Sequence, residues 1–207
     1  MPEAEEGLRE RHKARRRSRI VDAARELLRE EPDSAVGVER IADRAGVAPA
    51  TVYNLIGPRE RLWEALAARF MEEFEDRLAG QDAGDPHVVV RTTVHLFLGD
   101  PVVSRRMVRG WEESGLALHH SPLDRLTEAM AQTRARGVLR PDVDTDALAA
   151  LVATACVGAL HQWVAALIDD RLFLTRALFA LDVALAAAGV DGCREELLAP
   201  LRPRETE

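Results

Sequence analysis

Two short stretches of this 207-residue chain carry side chains suited to meeting phosphates and base edges. The first, "RERHKARRRSR" from Arg9 to Arg19, sets seven Arg or Lys against the single Glu10, a local net charge of +6. Such a cluster can neutralise the phosphates of a nucleic acid or anionic lipid headgroups, or can simply be a solvated tail. The second, "APATVYNLIG" from Ala48 to Gly57, holds the hydroxyl of Thr51, the phenol of Tyr53 and the carboxamide of Asn54. A carboxamide can pair with an adenine edge, and hydroxyls suit phosphates. Other chemistry is poorly supplied. His119, His120 and His161 have no Asp, Glu or Cys at helical ligand spacing, so no metal is expected. There is no P-loop, HExxH, GxSxG or paired Glu-x-x-His, so neither an enzyme nor a cofactor is expected.

Helices must position these residues. Ala, Leu, Arg and Glu dominate, aromatics are 4% and β-branched runs are short, which predicts an all-α chain. "SRIVDAARELLREE" repeats Ile20, Val21, Ala24, Leu27 and Leu28 at the helical period from about Arg17 and stops before Pro32. "VERIADRAG" is a short second helix closed by Gly46. Ala48 then sits at an N-cap, and Pro49 occupies the first turn of a third helix running to Ile56. A fourth follows Gly57-Pro58, with Leu62, Leu66, Phe70 and Phe74 at four-residue spacing, and ends at Gly80. Further helices are predicted at about 86–98, 101–114, 121–137, 145–169 and 171–188, joined by short breaks as in a bundle.

At about 100° per residue, Val52, Leu55 and Ile56 form the apolar stripe of the third helix, and Ala50 and Asn54 face the opposite way. Val38, Ile41 and Ala45 are the matching stripe of the second helix. Two short helices sharing this core and meeting at Ala45-Gly46-Val47 must cross steeply and leave one face of the third projecting. That is the geometry of a helix-turn-helix entering a groove of DNA ~12 Å wide; an ordinary αα-corner shares the spacing.

"RIVDAARELLREEPDSAVGVERIADRAGVAPATVYNLIGPRERLWEAL" resembles the N-terminal domain of the TetR family of bacterial transcriptional regulators over about Ser18 to Leu66. The shared features are the Ile-x-x-Ala-Ala opening, "IADRAGV", "TVY", and Gly-x-(Lys/Arg)-Glu-x-Leu. The chain departs from the family at Gly37, where an N-cap Ser or Thr is common, at Ala48-Pro49-Ala50 in place of Ser-Lys-Gly, and at Tyr53-Asn54-Leu55-Ile56 in place of Tyr-x-His-Phe. Each lost cap costs about 1 kcal/mol at most. Base-edge hydrogen bonding then falls to Asn54 and Thr51, with Ala48, Pro49 and Ala50 along the same approach, the last two offering apolar contact to thymine. Arg15, Arg16, Arg17, Tyr53 and Arg59 are the candidate phosphate contacts.

The domain organisation expected is a disordered basic arm at 1–16, a helix-turn-helix DNA-binding domain at 17–62 with its motif at about 37–56, a helical ligand-binding and dimerisation domain at 63–200, and a disordered tail at 201–207. Reading one operator twice requires a homodimer. Leu151, Ala155, Ala159 and Gln162, with Leu174, Leu178 and Leu181, are the candidate interface, or else only the subunit's own core; in the resembling family the C-terminal helices form the dimer. Arg91, His95, Met107, Trp111, Met130, His161 and Trp163 mix apolar walls with polar anchors, as a pocket for a small apolar or amphipathic ligand would.

The apolar stretch "ALAALVATACVGALHQWVAALI" contains His161 and Gln162 and is read as a buried helix rather than a membrane span. With no signal peptide and two Cys outside any metal or redox spacing, a cytoplasmic protein is expected. The resulting expectation is a repressor released from a palindromic double-stranded operator by a ligand. A constitutive or activating regulator without an inducer, and an all-α interaction module, are the alternatives.

Overall fold

The computed structural model describes residues 2–30, 36–113 and 122–199. Ten α-helices are described: α1 Pro2–Glu30, α2 Val38–Ala45, α3 Pro49–Leu55, α4 Arg59–Leu78, α5 Pro86–Leu98, α6 Pro101–Glu113, α7 Leu123–Ala135, α8 Thr145–Val164, α9 Asp170–Ala188 and α10 Asp191–Leu198. Among the described residues extended pairing is limited to one isolated bridge, Leu139 with Gly189.

The chain forms two compact units, one of Met1–Phe70 with Asp100–His120 and one of Met71–Gly99 with Ser121–Glu207. This differs from the expected boundary at 62/63 in two ways. The division falls inside α4, and α6 belongs with the N-terminal helices. The reason is visible in the first unit: Trp63 of α4 lies flat on α6 at Gly110, where a Cβ would come within 2.5–2.6 Å of the indole. Trp111 of α6 donates from Nε1 to the Trp63 carbonyl at 3.2 Å and stands edge-on to Phe70, with ring centres 6.1 Å apart. At the other side of this unit α6 meets α1: Arg29 pairs with Asp100, its Nε at 3.0 Å, and Arg106 donates to the Leu28 carbonyl.

The arm expected to be disordered is helical, continuous with α1. Its Glu, Arg, Leu and Ala are good helix formers, and Lys13 pairs with Glu10 at i,i+3. Burial, however, starts at Ile20; residues 7–17 and 19 are exposed, so the packed part of α1 is the amphipathic stretch the sequence predicts. The tail at 201–207 and the His119-His120 loop lie outside the described residues.

In the second unit α7, α8 and α9 pack in series, with α5 against α7 and α9 and α10 against α9. Asp85, Asp144 and Asp169 cap α5, α8 and α9 by accepting from backbone N–H groups. Trp163 and Phe173 stack at 5.4 Å in the interior, and the Trp163 Nε1 donates to Asp170 at 2.7 Å. Helix α8 ends at Val164, five residues before its predicted end. Ala166 turns into the left-handed region at φ 57°, its N–H bonds the Trp163 carbonyl, and the Leu167 N–H bonds back to Gln162. This closure is usually made with glycine, so neither Gly nor Pro marks it in the sequence.

Candidate nucleic-acid interface

The turn between α2 and α3 is built by Gly46 at φ 62°, with the Gly46 N–H on Asp43 and the Val47 N–H on Ala42. Ile41, Ala42 and Ala45 of α2 are buried, and Val52 and Ile56 are the buried residues of α3 and its C-cap. Val38 and Leu55, placed on the same stripes, are only half-buried. Turning this edge inward exposes the opposite one. Pro49, Ala50, Tyr53 and Asn54 are exposed, together with Ala48 at the N-cap, and Thr51 is half-buried. Tyr53 leaves 53% of its surface in solvent, which a core tyrosine would not do. The candidate base-reading and hydroxyl-bearing residues therefore share one projecting surface seven residues long.

Both short helices lack a side-chain N-cap, at Gly37 and at Ala48. Their far ends are held by α1. Arg19 donates to the Ala45 carbonyl at 2.8 Å, and Arg17 donates to the Leu55 carbonyl at 2.8 Å. Arg44 of α2 reaches back to Glu30 and Glu26 of α1, at 2.6 and 3.2 Å. Its bonds to Glu30 first and Glu26 second push the guanidinium up, and the Glu30 carboxyl is held below its ordinary range by the same contact. Arg15 and Arg16 are exposed on α1 and, with His12 and Arg19, line a positively charged cleft. The side chain of Arg59 lies outside the described residues. Arg17, expected as a phosphate contact, is thus already engaged, because α3 ends beside it with an unsatisfied carbonyl.

The other two predicted sets come apart. Arg91, His95 and His161 are exposed on the second unit, and the His161 Nδ1 lies 2.7 Å from its own helix carbonyl at Val157. Met130 and Trp163 are fully buried in that unit, whereas Met107 and Trp111 are buried in the first. Aromatic and imidazole content marked core and surface positions alike. Of the interface candidates, Leu151 and Ala155 are exposed and Gln162, Leu174 and Leu178 half-buried, but Ala159 and Leu181 are buried within the subunit. The leucine spacing on α9 belongs to its inward face. The outward face carries Leu172, Phe179 and Val183 instead, with Phe179 54% exposed. Spacing of 7 and 4 between them was the available signal.

Residues 20–55 match the family model described as bacterial regulatory proteins, tetR family. Among solved structures, SmeT, the repressor of the multidrug efflux pump SmeDEF of Stenotrophomonas maltophilia, is 25% identical, with a TM-score of 0.60 over 92% of this chain and 97% of that one. A SmeT–triclosan complex is also 25% identical, with a TM-score of 0.55 over 93% and 99%. RolR in complex with resorcinol shares the fold at 19% identity and a TM-score of 0.60 over 95% and 98%. No curated protein matches the chain in sequence. The fold is similar to that of these regulators, and α2 and α3 meet as a helix-turn-helix with α3 projecting. The match to the tetR-family model is thus confined to the N-terminal segment 20–55, while the chain as a whole is similar in fold to SmeT.

Proposed function

We propose that the protein is a cytoplasmic repressor that binds a palindromic operator as a homodimer and leaves it on binding a small apolar or amphipathic molecule. The observation that carries the DNA-reading step is the split of α3: Val52 is 1% exposed, while Ala50, Tyr53 and Asn54 face solvent. A helix meant only to fill a corner would not leave its one tyrosine outside. Asn54 and Thr51 read base edges, Pro49 and Ala50 add apolar contact, and Tyr53 with the Arg15–Arg16 pair meets phosphates.

Pairing is supported by α8 and α9. Helix α8 is long and apolar enough to cross a membrane by length and composition, and only 33% of its most apolar window is buried within the subunit. Its exposed Leu151, Ala155 and Gly158 continue towards Gln162, which accepts from Arg176 of α9. That contact joins this edge to the Leu172–Phe179–Val183 face of α9. An apolar surface spanning two packed helices fits the same surface of a second copy. The ligand step is supported by SmeT, which is 25% identical to this chain and was solved with triclosan.

Selection of binders from a random duplex pool, followed by a gel shift across a salt series, tests the reading. A palindromic product with half-sites about one helical turn apart is expected, with affinity falling steeply as salt rises. No enrichment over the starting pool rejects it. Triclosan serves as the first probe for release; loss of the shifted band with a rise in Tm is the expected result.

A further inference from the structure

We infer that Arg17 is a positioning residue for the reading helix rather than a phosphate contact. The inference rests on the DNA-binding reading above and assigns one of its parts.

Helix α3 is seven residues long, far below the length at which a helix holds itself in water. Its N-cap is Ala48, which offers no side-chain acceptor, and its last turn contains no basic residue. Side-chain caps are therefore missing at both ends, and the segment itself supplies only Pro49 in the first turn and the Ile56 and Gly57 N–H groups on the Val52 carbonyl. Burial of Val52 and Ile56 seats one side of α3 but constrains rotation and sliding along that seat only weakly, because two side chains define little more than a line. The remaining constraint comes from outside. The Arg17 Nη1 donates at 2.8 Å to the carbonyl of Leu55, the last residue of α3. A guanidinium there satisfies an orphan carbonyl and sits at the negative end of the helix dipole. Two residues further along α1, Arg19 does the same for the Ala45 carbonyl at the end of α2. One turn of α1 thus fixes where both arms of the motif end, and Ala50 and Asn54 inherit their aim from it.

The two roles make opposite predictions for salt. Removing a phosphate contact lowers the slope of log K against log[salt] by about 0.9 and weakens binding to all sequences alike. Removing a positioning bond leaves that slope intact and weakens the preferred sequence most. Arg17→Met keeps the aliphatic stem along the helix surface and deletes the donors. We expect it to lose roughly tenfold in affinity for the selected duplex, the scale of one solvent-accessible charge-assisted hydrogen bond. Affinity for a random duplex should change little, and the salt slope should not change. Arg15→Ala, run beside it, should lower the slope and weaken both duplexes equally.

Amide hydrogen exchange in the free protein gives a readout independent of DNA. In Arg17→Met the Ile56 and Gly57 amides, both bonded to the Val52 carbonyl, should exchange several-fold faster, with the global Tm within a few degrees of the parent. Unchanged exchange at those amides, or a salt slope that drops as it does for Arg15→Ala, overturns the assignment. If the parent protein prefers no duplex, the DNA-binding reading fails while the exchange experiment still decides the role of Arg17.

Discussion

Replacing Phe179 by Glu should turn the proposed dimer into a monomer without harming the subunit. Phe179 leaves 54% of its surface in solvent on α9. A phenylalanine has roughly 200 Å² to bury, so about 100 Å² remains for a partner to cover. At about 25 cal/mol per Å² that is worth about 2.5 kcal/mol. A twofold axis counts it twice, giving about 5 kcal/mol per dimer, or a 10³–10⁴-fold rise in Kd. Burying a carboxylate in the same place adds to the loss. Sedimentation velocity over a dilution series reads the outcome directly. Leu181→Ala is the control, since Leu181 is fully buried within the subunit: it should lower Tm yet leave self-association nearly unchanged. If Phe179→Glu shifts the midpoint by less than tenfold, the outward face of α9 is not the contact and the reasoning fails.

Four further outcomes are expected. Asn54→Ala should relax preference among operator variants, whereas Tyr53→Phe should weaken all of them alike; parallel losses in a competition panel would remove the distinction. Ala166→Gly should stabilise by about 0.5–1 kcal/mol in urea unfolding, because the left-handed turn at φ 57° strains an alanine; a neutral or negative result would show that the turn carries no strain. Gly110→Ala should destabilise by about 1–3 kcal/mol, since the new methyl has nowhere to go but into the Trp63 ring; an unchanged Tm would contradict the close approach. Burial pushes the Cys156 thiol up to about 11, so Cys193 should react first with a thiol reagent at pH 8 and Cys156 should stay slow until well above that pH. Mass mapping of the modified chain checks the order.

Helical periodicity reported which residues face inward far better than which surfaces face one another. Ile20, Leu27, Ile41 and Val52 were legible because a short amphipathic helix has only one apolar side to bury. The exposed Ala50 and Asn54 followed as the complement of that side. Helices α8 and α9 are apolar over most of their circumference, so the same rule has two answers there, and Leu181 and Ala159 fell on the wrong one. Arg17 and Arg19 were legible as charge but not as caps, because their partners are backbone carbonyls 38 and 26 positions away, which no residue type announces. Likewise, a methionine, an imidazole and an indole suit a pocket wall and a core equally; only burial tells Met130 from His161.

The tryptophans give the molecule a built-in optical label for each of its parts. Trp63 and Trp111 are buried in one unit and Trp163 in the other. Emission from Trp163→Phe protein would report the first unit alone, and a Trp63→Phe, Trp111→Phe double variant the second, so melting of the two could be followed separately in one cuvette without any attached dye.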